Sequence, residues 1–211
     1  MKYILILSVI FFGFSNASAQ KKHLSYLFPE FTDSYIYYKD GKVFQVPTNY
    51  DLFKNKFFFI DKDDEKKEFA DPDMIVSIKV GDRTFRQLSN EDVAEVIQAE
   101  PLILVQYLGE TRIKKELSMG GRTETASVDS YSNTYTYGVG DDTRNIELIK
   151  TEYQFYVEHK RLKRFSTEKQ FLKIFSKQKE ELKKYIDKNK VDFSSIEQVV
   201  KLCNQAFNMA Q

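Results

Sequence analysis

The chain of 211 residues contains one cysteine, two histidines, four prolines, eight glycines and no tryptophan. Each scarcity removes a class of protein. A single Cys excludes a disulfide scaffold. His23 and His159 lie far apart in sequence, and neither belongs to a recognisable nucleophile motif. A Ser-His-Asp or Cys-His site therefore has no evident base, and a zinc site has no ligand spacing. No Gly-x-Ser-x-Gly elbow presents a serine, and Gly120-Gly121 is not followed by the Lys of a phosphate loop. An excess of one charge is also missing. Lys plus Arg number 32 and Asp plus Glu 31, so no global basic field points to nucleic acid. Nothing in the chain implies a cofactor. The longest apolar run, residues 3–14, has 12 residues, and a membrane span takes about 20.

What is present describes a globular protein made for export. Hydrophobic residues are 42% and aromatics 15% of the chain, too rich for a disordered segment. Lys2, the apolar run 4–12 and Ala17-Ser18-Ala19 have the order of a cleavable signal peptide. Residues 1–19 are expected to be removed. No Cys stands near the cut, so a lipoprotein is not expected. The expected destination is periplasmic or extracellular, with no transmembrane segment left after cleavage. Residues 20–211 are expected to form one α+β domain, mostly β over 20–165 and helical over 166–211.

The β half is read from turns and alternation. Tyr35-Ile36-Tyr37-Tyr38 and Val43-Phe44-Gln45-Val46 flank Lys39-Asp40-Gly41-Lys42, and Asp-Gly suits a two-residue hairpin turn. Gly81-Asp82 repeats the device between 74–80 and 83–88. There the spacing puts Ile75 on one face and Val76, Ile78 and Val80 on the other. Phe57 to Ile60 reads as a buried strand entering the acidic loop 61–65. Leu102 to Val105 starts another strand, and Tyr153, Phe155 and Val157 alternate with Glu152, Gln154 and Glu158. Residues 92–98 fit a helix or a strand. At least six strands with short connections predict a curved, mostly antiparallel sheet.

The last third has neither Gly nor Pro after Gly140. Two to three helices are predicted there. Ser166 is the expected cap of the first, with Thr167 and Gln170 at capping-box spacing. Leu182, Tyr185 and Ile186 mark the second, stopped at Asn189. Ser194 opens the third, with Ile196, Val199, Val200, Cys203 and Phe207 at helical period. Cys203 is expected in the core. Residues 150–211 carry fourteen basic and eight acidic side chains, whereas residues 20–149 carry seventeen and twenty-three. The positive tail is either a solvated helical surface or a face toward an anionic partner.

Two segments invite functional readings. Asp61-Lys62-Asp63-Asp64-Glu65 places Lys66 and Pro72 where a calcium-binding EF-hand needs Gly and Glu, so a solvated hairpin loop is expected. A looser oxygen site with Asp71 and Asp73 is the alternative. In the segment 118–145, 18 of 28 residues are Ser, Thr, Gly, Asn or Tyr. Loops this long are usually mobile or functional. Tyr131, Tyr135 and Tyr137, set among small polar residues, are its candidate binding residues.

The signal segment, the Asp-Gly hairpin, the Gly/Ser/Thr/Tyr-rich stretch and the ending Phe171-Leu172-Lys173-Ile174-Phe175 through Asn189-Lys190-Val191-Asp192-Phe193 resemble small exported proteins of Bacteroidota. The resemblance implies a Gram-negative envelope or extracellular setting and carries no activity. The expected function is that of a non-enzymatic envelope protein that binds a protein or envelope partner. The alternatives are a secreted small-molecule or glycan binding module using the Tyr-rich loop, and an acid-dependent hydrolase whose paired carboxylates no spacing singles out.

Overall fold

The computed structural model describes residues 25–88, 92–113 and 146–210. The expected signal peptide, His23 and the segment 118–145 with Tyr131, Tyr135 and Tyr137 lie outside the described residues. Ten strands come first: β1 Thr32–Tyr38, β2 Val43–Asp51, β3 Lys56–Ile60, β4 Lys66–Glu68, β5 Ile75–Val80, β6 Arg83–Gln87, β7 Val93–Gln98, β8 Ile103–Ile113, β9 Ile146–His159 and β10 Arg161–Phe165. Three helices follow: α1 Glu168–Ile174, α2 Lys179–Asn189 and α3 Ile196–Asn208. The expected α+β architecture, a mostly antiparallel sheet followed by C-terminal helices, is the one observed.

All the strands join one sheet in the order β10-β9-β8-β7-β6-β5-β1-β2-β3-β4. Every neighbouring pair is antiparallel, and the chain crosses over once, from β4 back to β5 beside β1. The sheet stays open but curls strongly. Tyr50 on β2 donates its hydroxyl to the Tyr107 carbonyl of β8 at 3.2 Å, although four strands separate β2 from β8 in the ladder. Phe57 of β3 likewise meets Phe85 of β6, with ring centroids 5.0 Å apart. The curl needs a glycine at 109. A Cβ there would fall 2.3 Å from the Leu52 carbonyl oxygen, a backbone atom that cannot turn aside.

Turn chemistry accounts for the hairpins and corrects two readings. Val80 pairs with Arg83 around Gly81-Asp82, the expected two-residue loop, with Gly81 at φ 57°. The first hairpin instead closes through the four residues 39–42. Only Gly41 there takes positive φ, 84°, and Asp40 stays in ordinary space. The faces of β5 also differ from simple alternation. A register shift opposite Tyr37 and Tyr38 returns Ile75 to the core with Ile78 and Val80, and turns Val76 outward. Residues 93–98 are a strand. The loop after β3 is a solvated turn: Asp61 accepts from the amides of Asp63 and Glu65 and pairs with Lys67.

The helical caps sit one residue later than expected. Thr167 caps α1 and Gln170 reaches back to the Ser166 amide, while Ser195 caps α3. Asn189 stays helical and donates to the Tyr185 carbonyl; Lys190 takes the left-handed stop at φ 49°. The helices complete the core on the inner face of the sheet. Phe155 stacks on Phe165, which meets Phe171, which meets Phe175, which meets Phe207. Cys203 is buried among these helices, and desolvation pushes its thiol up to about 12. It packs as a small hydrophobe.

Candidate functional site

The inner face of the curl is filled. Ile36, Tyr50, Phe85, Ile103 and Phe155 are all essentially inaccessible there. A charged cluster among its described residues is closed on itself. Arg83 forks onto Glu95 with two bonds of 2.8 Å, and Tyr107 donates its hydroxyl to the same carboxylate. The guanidinium lies 4.8 Å from the Phe28 ring centroid, 5.2 Å from that of Phe85 and 5.3 Å from that of Tyr107. Burial and the neighbouring carboxylate raise the Tyr107 pKa, so its proton stays in place. A satisfied ion pair inside aromatic walls holds strands together and offers nothing to a substrate.

The outer face is different. Cross-strand register defines its rows, because directly paired residues share a face. One row runs Val43–Tyr37–Ser77–Arg86–Ala94 across β2, β1, β5, β6 and β7. The next runs Val96–Leu104–Tyr156–Arg164 across β7, β8, β9 and β10. Ala94 and Val96 are two residues apart on one strand, so the two rows form a continuous surface.

Over the second row lies an open groove of about 580 Å³. Arg86 stands on its β6 side and Arg164 on its β10 side, with Leu102, Leu104, Tyr156 and Leu162 between them. That volume falls within the ~300–1,000 Å³ of ordinary ligand sites. Part of its wall is fixed by a polar relay: Tyr156 donates to Gln106 at 2.8 Å, and Gln106 donates to Asp92 at 2.9 Å. Desolvation and the nearby Asp92 raise the Tyr156 pKa, against the pull of Arg164. Tyr156 thus remains a neutral phenol.

Several groups on this face are unspent. Among the described residues, Arg86, Arg164 and Glu158 make no ion pair and no side-chain hydrogen bond. The Nε2 of Gln154, which pairs across from Gln106 on this face, is buried and finds no acceptor. A buried donor left unpaired costs about 1–3 kcal/mol unless something outside the chain accepts from it. Further along the same face Tyr35, Tyr37, Val43 and Val76 are 44%, 38%, 51% and 47% exposed.

None of these groove residues was singled out by sequence reasoning. Arg86 and Arg164 are 78 positions apart, and only the sheet order brings their strands into one surface. His159 sits against the Phe175 and Phe207 rings, at 5.0 and 6.2 Å between centroids, and takes no part in the groove. Among the described residues, no group of three or more His, Cys, Asp or Glu is placed to hold a metal ion, and no helix is long and apolar enough to cross a membrane. Compared with known proteins, the chain matches no family model, no curated relative and no solved structure.

Proposed function

We propose that the chain is an exported, non-enzymatic binding protein of the bacterial envelope or its exterior, and that the outer face of its sheet does the binding. The observation that carries this reading is the contrast between the two faces. The inner face is packed, and its Arg83–Glu95 pair is satisfied within the fold. The outer face holds a groove of about 580 Å³ with two arginines that no described residue pairs. The export half of the reading rests on the residues 1–19 alone. A hydrolase draws less support: of the groove's two carboxylates, Asp92 is engaged by Gln106 and Glu158 is exposed to water.

Charge reversal tests the reading. Arg86→Glu with Arg164→Glu alters two exposed side chains outside the core, so the melting temperature should stay within about 2 °C, as surface changes away from the core usually do. Binding of the purified chain to envelope extract, measured by biolayer interferometry, should fall at least tenfold. Undiminished binding by a folded double variant would contradict the assignment of the outer face.

A further inference from the structure

The proposed binding face also carries information on what it binds, and the argument that follows rests on that proposal. We infer that its ligand is a glycan chain lying across the strands, from the exposed tyrosines of β1 to the groove between Arg86 and Arg164.

Hydrogen-bond complementarity comes first. Among the described residues, Arg86 and Arg164 are donors without acceptors, and Glu158 is an acceptor without a donor. The groove's four formal charges, Arg86, Arg164, Asp92 and Glu158, cancel. A ligand fitted to that set both donates and accepts at many points and has no large charge of its own. Sugar hydroxyls do both. The apolar parts fit as well: Leu104 and Tyr156 floor the groove, and the Tyr35 and Tyr37 rings stand half in water on the same face. Amphipathic rings of this kind give contact area with little entropy to lose. They suit the mixed C–H and O–H faces of a pyranose.

Other polymers fit less well. A polyanion such as nucleic acid needs a basic stripe, and this face is balanced. A peptide that adds a strand needs a free backbone edge. Strands β5 through β9 are each paired on both sides, so the face presents side chains only. An amphipathic helix needs a continuous apolar trough, and here Arg86, Glu158 and Arg164 interrupt it. The length is right for an oligomer: from β1 to β10 the face crosses six strand spacings of roughly 4.8 Å, about 29 Å along the surface.

The test uses the purified exported chain and envelope extract of a Gram-negative host, presented untreated, after exhaustive protease, or after periodate, which cleaves vicinal diols. The inference predicts that binding survives protease, is lost after periodate, and weakens at least tenfold in Tyr35→Ala with Tyr37→Ala. Both tyrosines are exposed, so that variant should fold. Binding lost to protease but kept after periodate overturns the glycan inference and leaves a protein-binding face. Binding absent from the untreated extract, or indifferent to both the tyrosine and the arginine substitutions, overturns the underlying assignment of the face as well.

Discussion

At the residue scale, charges paired within the fold stand apart from charges that have no partner among the described residues. Arg83 and Glu95 belong to the first kind. Glu95 is 9% exposed at its side chain, and Arg83 keeps 33% of its own in contact with water. Removing one partner of a buried pair costs about 3–5 kcal/mol, whereas replacing both by apolar groups of similar size is often neutral. Glu95→Leu should therefore destabilise the fold by about 3 kcal/mol, the low end, because Arg83 retains some solvent. Adding Arg83→Met to that variant should recover most of the loss. Urea unfolding of the two variants measures both quantities, and equal losses in single and double variants would mean that the pair is not coupled. Arg86, three positions from Arg83, faces the other side of the sheet and has no such partner among the described residues. The period of two along a strand is what gives two arginines of β6 opposite roles.

At the scale of elements, the C-terminal helices belong to the core rather than trailing from it. Phe171, Phe175, Leu182, Val199 and Leu202 are all at most 1% exposed, and they form one cluster with Phe155 and Phe165 of the sheet. Each such side chain gains about 1.5–3 kcal/mol on burial, and a whole domain is stable by only about 5–15 kcal/mol. A chain truncated after Phe165 should show no cooperative thermal transition by circular dichroism. A transition at the full-length temperature would make the helices a separate module. These helices were legible in the sequence because their apolar positions recur at the helical period, and β9 because Tyr153, Phe155 and Val157 alternate. β4 and β10 were not. Lys66–Glu68 has no apolar position at all, and Arg161–Phe165 is a short, basic edge strand whose charges protect the open edge rather than report a buried face. The bulge that turns Val76 outward depends on its partner strand, which no local pattern reveals. The caps slipped by one residue because Ser166 and Thr167, and likewise Ser194 and Ser195, are adjacent candidates, and only the backbone path selects between them.

At the scale of the whole molecule, the site was the least legible part. Composition drew attention to Tyr131, Tyr135 and Tyr137, which lie outside the described residues, whereas the groove is assembled from outward positions on β6 to β10 that ordinary strand patterning treats as solvated surface. Curling accounts for this division of labour. It closes the inner face around aromatics and leaves the outer face to carry Tyr35, Tyr37 and the groove. Part of the basic tail is a solvated helical surface. Lys183 pairs with Glu168 and Asp187, and Lys201 with Glu197, on the exposed helix surfaces. The most direct test of the binding face is site-specific photo-crosslinking in envelope-bearing cells. A benzophenone side chain replaces Leu162 in the groove in one variant and the outward residue Lys177, between α1 and α2, in another. The account predicts a discrete adduct from position 162 that is absent from position 177. Adducts from 177 alone, or equally from both, would show that the outer face of the sheet is not where this protein meets its partner.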